Sequence, residues 1–425
     1  AQGIGEAIVA AFAAQQARLL ISDIQADKVE QVAAHWRDQG HDYIHSFGTT
    51  GQDCWAAGFQ HFWLKGQQLG LASDYGDYCP ELLATKAGKF AHLPTRPLNY
   101  AFHFDAGLYA KFLRALAEQH GAKRIEGKIA SVETCEQSGN ISALQMANGE
   151  RIEGDLFIDC TGFRALLIEQ TLHTGFDDWS HWLPCDSAVA VQTRATREPV
   201  PYTRSIAHGA GWQWQIPLQH RVGNGLVYCS KYYSDEEAKA VLLANISGEL
   251  LTEPRLIKFR TGMRRKHWNK NCIAMGLASG FLEPLESTSI HMIMTAVTRL
   301  LQLFPHGEIR QSIVDEYNTQ AESEYVRIRD FIILHYKATE RDDSPFWRYC
   351  KGMEIPADLK HRMALFKDFG RSNQVEGELF RLDSWTQVML GQGIIPSYYH
   401  PIVKLMPDRD LQNFLNSIAA EVDNN

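Results

Sequence analysis

Two segments of this 425-residue chain hold residue types whose spacing could do chemistry. The first is Gly211-Trp212-Gln213-Trp214-Gln215-Ile216-Pro217. Side chains alternate along a strand, so both indoles should point to one face. Tryptophan is rarely buried completely. A doubled pair is therefore either filling for a core strand that Pro217 ends or a rigid aromatic wall of a pocket or channel. The second segment is Asn271-Cys272-Ile273-Ala274-Met275-Gly276-Leu277-Ala278-Ser279-Gly280-Phe281-Leu282-Glu283-Pro284-Leu285-Glu286-Ser287-Thr288. A strand, Ile273 to Met275, is expected to stop at Gly276. A loop with a fixed proline then opens a helix whose apolar positions Ile290, Ile293, Met294, Val297, Leu300 and Leu301 have helical spacing. Ser287 or Thr288 can cap that helix, and its free N–H groups beside a turn make a ready anion site. Glu-Ser-Thr before an apolar helix is also a routine cap.

The elements that must position these groups follow from residues 43 onward. Residues 43–98 are rich in glycine and aromatics, with a short helical stretch at Phe59 to Gly70. Residues 105–121 read as an amphipathic helix with Leu108, Phe112, Leu113 and Leu116 on one face. Ile129 to Val132, Ile141 to Met146, the Asn148-Gly149 turn, Ile152, and Leu156 to Asp159 read as a hairpin meander. Its last strand runs into Cys160-Thr161-Gly162-Phe163, where an apolar strand ending in Thr-Gly lets backbone approach a cofactor that a side chain would block.

Composition narrows the class. The length predicts two or three subdomains around one cofactor. Hydrophobic content of 45% with 22% charged residues fits a soluble globular protein. A net charge of −8 without a basic block argues against a nucleic-acid partner. The eight cysteines are scattered without a CxxC pair, which fits reduced thiols and no metal site. With no signal peptide and no apolar run of membrane-spanning length, the cytoplasm is the expected location.

Residues 1–42 read differently. Gln2-Gly3-Ile4-Gly5 leads into an alanine-rich helix, and a strand at Leu19-Leu20-Ile21-Ser22 ends in Asp23, where a ribose-binding carboxylate would stand. This piece resembles a truncated short-chain dehydrogenase N-terminus, but no Tyr-x-x-x-Lys pair follows, so a dehydrogenase reading fails. A helix and strand that merely pack on a sheet are expected.

The Glu-Pro-Leu-Glu-Ser-Thr segment (283–288), the GWQWQIP strand and Met389-Leu390-Gly391-Gln392-Gly393 together resemble the flavin-dependent tryptophan halogenases over about residues 43–425. The resemblance implies an α/β fold: a flavoprotein-monooxygenase-like α+β module, here 43–300, with an added, mostly helical substrate module, 301–425. It also implies FAD, delivered reduced by a separate flavin reductase, and a halide ion. Hypohalous acid formed from them would pass to a small aromatic substrate. Glu286 would stabilise or deprotonate the cationic ring intermediate. The N–H groups of Thr288 and Ser289 would hold halide. Thr161, Gly162, Gly276, Leu277 and Ile290 would meet the flavin. Trp212 and Trp214 would wall the substrate off, and a homodimer is common in such enzymes.

Some positions depart from the family pattern. Ser289 replaces a usual glycine. A lid that carries Tyr-Tyr, Glu, Phe-Trp and Asn in tryptophan-acting members reads His335-Tyr336, Asp342, Phe346-Trp347 and Lys351 here. The aromatic clamp Tyr336, Phe346 and Trp347 keeps a flat ring as the expected ligand. The groups that would grip an amino acid's charges are altered, so indole or another electron-rich ring is expected rather than free tryptophan. His103 either faces this pocket or is a satisfied buried histidine. The family's GxGxxG flavin loop and relay lysine find no counterpart; Lys65 and Lys86 read as solvated surface lysines. Two other readings stay open: a flavin monooxygenase that hydroxylates, and an inactive relative that only binds an aromatic ligand.

Overall fold

The computed structural model describes residues 43–52, 54, 57–91 and 98–423. The glycines and Asp23 of segment 1–42 lie outside the described residues. In chain order the strands are β1 (Ile129–Thr134), β2 (Ile141–Met146), β3 (Arg151–Glu153), β4 (Phe157–Asp159), β5 (Phe176–Asp178), β6 (Ser187–Arg194), β7 (Arg204–His208), β8 (Gly211–Pro217) and β9 (Arg221–Tyr228). They continue with β10 (Arg255–Lys258), β11 (Gly262–Arg264), β12 (Trp268–Asn269), β13 (Cys272–Ala274) and β14 (Gly280–Phe281). The longer helices are α1 (Phe59–Gln68), α2 (Pro80–Lys86), α3 (Ala106–Gln119), α4 (Asp235–Ala244), α5 (Ser289–Gln302), α6 (Gln311–Lys337), α7 (Pro345–Gly352), α8 (Ala357–Phe369), α9 (Leu382–Gly391) and α10 (Asp408–Asp423).

A five-stranded sheet, order β10-β6-β9-β8-β7, carries the two tryptophans. Alternation sorts its side chains into two layers. Val189 and Val191 of β6, with Leu226 and Tyr228 of β9, face Ala238 and Leu242 of α4. A full capping box fixes the start of α4, with Ser234 and Glu237 bonding each other's backbone. Ala188, Trp212 and Val227 face the other way, into the main core with Phe331, Ile332, Phe346 and Trp385. The α6–α9 helices thus share one core with the sheet. Trp214 pairs with Gly225 across β8 and β9, and a Cβ at Gly225 would stand 2.0 Å from the Trp214 ring. Glycine is needed there for the indole to lie on the sheet. Gly225→Ala should overpack this face and lower stability by about 1–3 kcal/mol, read as a lower melting temperature with altered tryptophan fluorescence.

The meander differs from expectation at its end. β1, β2 and β3 form an antiparallel three-stranded sheet, but β4 leaves it and pairs in parallel with β13. The Asn271 side chain bridges these parts: it accepts from Ile141 N–H and donates to the carbonyls of Ile141 and Asp155. The cause is non-local, since β13 lies more than a hundred residues on. The amphipathic helix forms as α3, with Asp105 accepting from the N–H groups of Gly107 and Leu108. Its Leu108, Phe112, Leu113 and Leu116 are exposed among the described residues. The 27-residue α6 is about 40 Å long, and its second half is buried almost all round, including Ile328 through Leu334. No helix among the described residues is long and apolar enough to cross a membrane.

Candidate functional site

Glu286 ends a short helical turn, Pro284–Glu286, that Ser287 closes in the left-handed region at φ 54°. Its side chain is largely buried between two imidazoles. His45 Nδ1 lies 3.0 Å from Oε2, and His335 Nε2 lies 2.7 Å from Oε1. Tyr43 Oη stands 2.5 Å from the other nitrogen of His335, and Gln392 Nε2 donates to Tyr43 Oη at 3.2 Å. Burial alone would raise the Glu286 carboxyl, but the facing imidazoles outweigh it and hold the group well below the usual carboxylate range. Burial and the Glu286 charge together push the Tyr43 hydroxyl far up.

Distant elements aim these groups. Gln387 of α9 accepts from Ser46 N–H at 2.8 Å and donates to the Gly48 carbonyl, pinning the segment that carries His45. Gly391 lets the Tyr43 ring close on the end of α9, where a Cβ would come within 2.5 Å of it. The Gly391-Gln392 pair thereby acquires a physical purpose: close approach, then a donor for Tyr43.

Three residues earlier, Glu283 has the opposite surroundings. It is completely buried, and its Oε2 accepts from Trp212 Nε1 at 3.1 Å and from the Tyr336 hydroxyl. Its Oε1 has no partner. Burial pushes Glu283 up to about 7, although both donors pull the other way. Burial and the Glu283 charge also drive the Cys185 and Cys350 thiols upward. Trp212 and Trp214 do share a face, with ring centres 6.1 Å apart. Tyr336, Phe346 and Trp347 pack edge-on or stacked against one another at 4.9–6.0 Å and are buried in the main core. Trp347 Nε1 donates to the His208 carbonyl at 2.7 Å. Adjacent on α6, His335 and Tyr336 serve different carboxylates because successive helical residues point about 100° apart.

The glycine positions meet at the ends of a parallel strand pair. β4 runs into Thr161-Gly162 and β13 into Gly276, side by side. Both glycines have positive φ, 73° and 59°, and a Cβ at Gly162 would meet nothing within 4 Å. The carboxyl ends of parallel strands are where α/β folds place ligands. Buried Asp159 organises this end: Oδ1 accepts from the Thr161 N–H and hydroxyl, and Oδ2 from the N–H groups of Leu167 and Ile168. Leu277 and Ile290 are 40% and 37% exposed, presenting an apolar surface. Thr288 takes the cap position of α5 but makes no side-chain cap bond. Its hydroxyl is buried without a partner, and the first turn holds no acidic side chain. The N-terminus of α5 therefore has no side-chain cap.

Other expectations are corrected. His103 does not face the aromatic group. It is exposed and bonds Thr203 Oγ1 at 3.1 Å, beside Pro217 at the far end of β8. That is about 17 Å along the strand from Trp212. Lys65 is not a surface lysine: it is 6% exposed, donates to the Met406 carbonyl at 2.6 Å and pairs with Asp408. The approach to α10 buries it. Lys86 is exposed and pairs with Asp77. Asp342 is exposed, and Lys351 points outward to Glu340 at 3.3 Å. The sequence reading named no role for His45, Tyr43 or Glu283. Only Glu283 left a local trace, an acid directly after Phe281-Leu282.

A model of the tryptophan halogenase family matches residues 1–408, a span that begins ahead of residue 43. The tryptophan 6-halogenase SttH of Streptomyces toxytricini is 38% identical over 272 residues, covering 63% of this chain and 52% of that protein. The tryptophan 7-halogenase RebH of Lentzea aerocolonigenes is 30% identical over 371 residues, covering 82% of this chain and 70% of its own length. This chain thus spans about half of SttH. Among solved structures, a flavin-dependent halogenase from Xanthomonas campestris superposes with a TM-score of 0.89 at 56% identity, covering 92% of this chain and 79% of that one. BrvH, a flavin-dependent halogenase from Brevundimonas sp. BAL3, gives 0.88 at 45% identity over 91% and 80%.

Proposed function

This chain belongs to the tryptophan halogenase family, and on that premise we propose that it is an FAD-dependent halogenase acting on an electron-rich, indole-type ring. The observation that carries this reading is the placement of Glu286. A carboxylate kept ionised by two imidazoles stands two residues before a helix N-terminus with an uncapped, orphaned Thr288. Electrophilic halogenation needs an anion donor and a fixed negative charge where the ring turns cationic.

The residues at hand fit the implied groups. Thr161, Gly162 and Gly276 leave backbone open at the ends of β4 and β13, and Leu277 and Ile290 offer apolar surface to a planar ring. FAD bound there, reduced by a separate flavin reductase, supplies hypohalous acid from oxygen and halide. Thr288 and Ser289 hold the halide through backbone N–H groups. Trp212 and Trp214 form a wall that Glu283 anchors by its bond to the Trp212 indole, with Tyr336, Phe346 and Trp347 stiffening it from behind. Glu286 stabilises the ring cation. The outward positions of Asp342 and Lys351 take these two side chains away from an ammonium and carboxylate, which favours indole over free tryptophan. Such an enzyme would work in the cytoplasm, beside its reductase, and as a homodimer.

Incubation with FAD, flavin reductase, NADH, bromide and indole should yield bromoindole by mass spectrometry, in an amount that vanishes without bromide. Hydroxyindole formed equally well without bromide would favour a monooxygenase. Binding of the aromatic with no product in any mixture would favour an inactive relative. Saturation by free tryptophan at low micromolar concentration would contradict the substrate assignment.

A further inference from the structure

The turns after β4 and β13 must keep a fixed spacing if one flavin is to rest against both. Thr161-Gly162 follows β4, and Gly276 opens the turn after β13. Arg264, the last residue of β11, reaches both turns from a position that is 6% exposed. Its backbone N–H donates to the Ser279 carbonyl at 2.8 Å, and its Nε donates to the Ala278 carbonyl at 3.0 Å. Elsewhere on the same guanidinium, Nη1 donates to Glu169 Oε2 at 2.7 Å. Glu169 belongs to the short helical turn Leu166–Thr171, which Thr161 Oγ1 ties back to the end of β4 by accepting from Leu166 N–H at 2.7 Å. Resting on the function proposed above, we propose that Arg264 is a positioning residue for the flavin: a strut that sets the distance between the two turns.

The residue type carries the argument. A guanidinium is planar and presents its N–H groups in a rigid fork. Two acceptors bound to one fork are held at a set separation, which a flexible ammonium or an apolar side chain does not impose. Burying a charge is costly, and well-packed apolar residues of similar volume often serve stability as well as an ion pair does. A requirement for fixed geometry therefore accounts for this pair better than stability does. The far anchor is itself held, because Glu169 Oε2 also accepts from Gly175 N–H at 2.9 Å. The guanidinium lies 5.0 Å from the centre of the Phe176 ring, which limits its swing. Phe163 and Phe281 also touch across the gap, with ring centres 5.4 Å apart, but apolar contact is non-directional and lets the turns slide.

Flavin affinity and global stability separate a strut from a merely structural ion pair. FAD would be titrated into the wild-type chain, R264K, E169A, the double variant and V189A, with melting temperatures measured alongside. Val189 is buried in the layer beneath α4, so V189A opens a small cavity and lowers stability without touching the strut. We expect R264K and E169A each to bind FAD about 10-fold more weakly, the lower end of what a lost supporting residue costs at metal sites. The double variant should be no weaker than the weaker single, because either change alone breaks the strut, and V189A should bind as the wild type does. Wild-type affinity in R264K or E169A, losses that multiply in the double variant, or an equal loss in V189A overturns the assignment.

Amide hydrogen exchange in the flavin-free chain reads the strut directly. R264K should exchange faster than the wild type in both 162–168 and 276–280, because the strut joins them. Faster exchange in one segment alone, or in neither, overturns it even if no variant binds FAD. A wild-type chain that fails to bind FAD counts instead against the halogenase reading.

Discussion

Glu286→Gln should lower bromination of indole by about 100-fold or more while the chain keeps its circular dichroism spectrum. The amide has the carboxylate's shape but neither its charge nor its capacity to pass a proton. Both electrostatic stabilisation and proton transfer at the cationic ring are lost together, and each is worth about that factor on its own. The variant should also melt lower at neutral pH. Glu286 is held below its unfolded value by the imidazoles of His45 and His335, so it contributes stability above the unfolded carboxylate pKa of about 4.3 and loses it as pH falls through the depressed folded value. The wild-type rate should accordingly show no acid limb from this carboxylate near neutral pH. A Glu286→Gln chain with undiminished kcat would remove the residue from the chemistry.

Glu283 should bend stability in the opposite direction. Its folded pKa is pushed from 4.5 up to about 7 by burial, so the folded chain binds a proton that the unfolded chain has released between those values. Stability then falls as pH rises through that window and levels off above it. A shift of this size corresponds to about 3 kcal/mol. Glu283→Gln keeps an acceptor for Trp212 and Tyr336 and cannot ionise, so denaturant unfolding at pH 5 and pH 8 should differ between wild type and variant by roughly that amount. Buried His267 and His61, lowered to about 3 and 4, contribute equally to both proteins and cancel in the comparison. Parallel pH profiles would mean that Glu283 does not titrate there. Because Glu283 holds the Trp212 indole, the same ionisation should alter tryptophan fluorescence over the same pH range.

Much of the local architecture was legible in the residues. The GWQWQIP strand forms as β8 with both indoles on one face, and the apolar spacing after Ser287 forms α5. The expected Ile273 to Met275 strand forms as β13, ending at Ala274, and a turn opens at Gly276. Each rests on periodicity or a breaker within a few residues. The departures all involve pairing across long sequence distances. β4 follows the meander in sequence yet pairs with β13, because its apolar Phe157 finds burial with Cys272 and Ala274 rather than on β3. Lys65 looked like a surface residue on a short helix until α10 came against it. His103, read as either a pocket residue or a satisfied buried histidine, is exposed and bonds the Thr203 side chain a hundred residues away.

The sequence alone determined the family, the strand with its tryptophan pair, and the acid before a helix start, because these are carried by residues adjacent in the chain. It could not determine the state of the two acids. Glu283 and Glu286 are three positions apart and chemically identical, yet one is driven toward neutrality and the other held ionised. Only the tertiary structure decides this. Glu283 is turned into the buried core with two donors, while Glu286 meets His45 from 241 positions away and His335 from α6. A carboxylate's charge is set by what surrounds it in space, and here those surroundings come from distant parts of the chain.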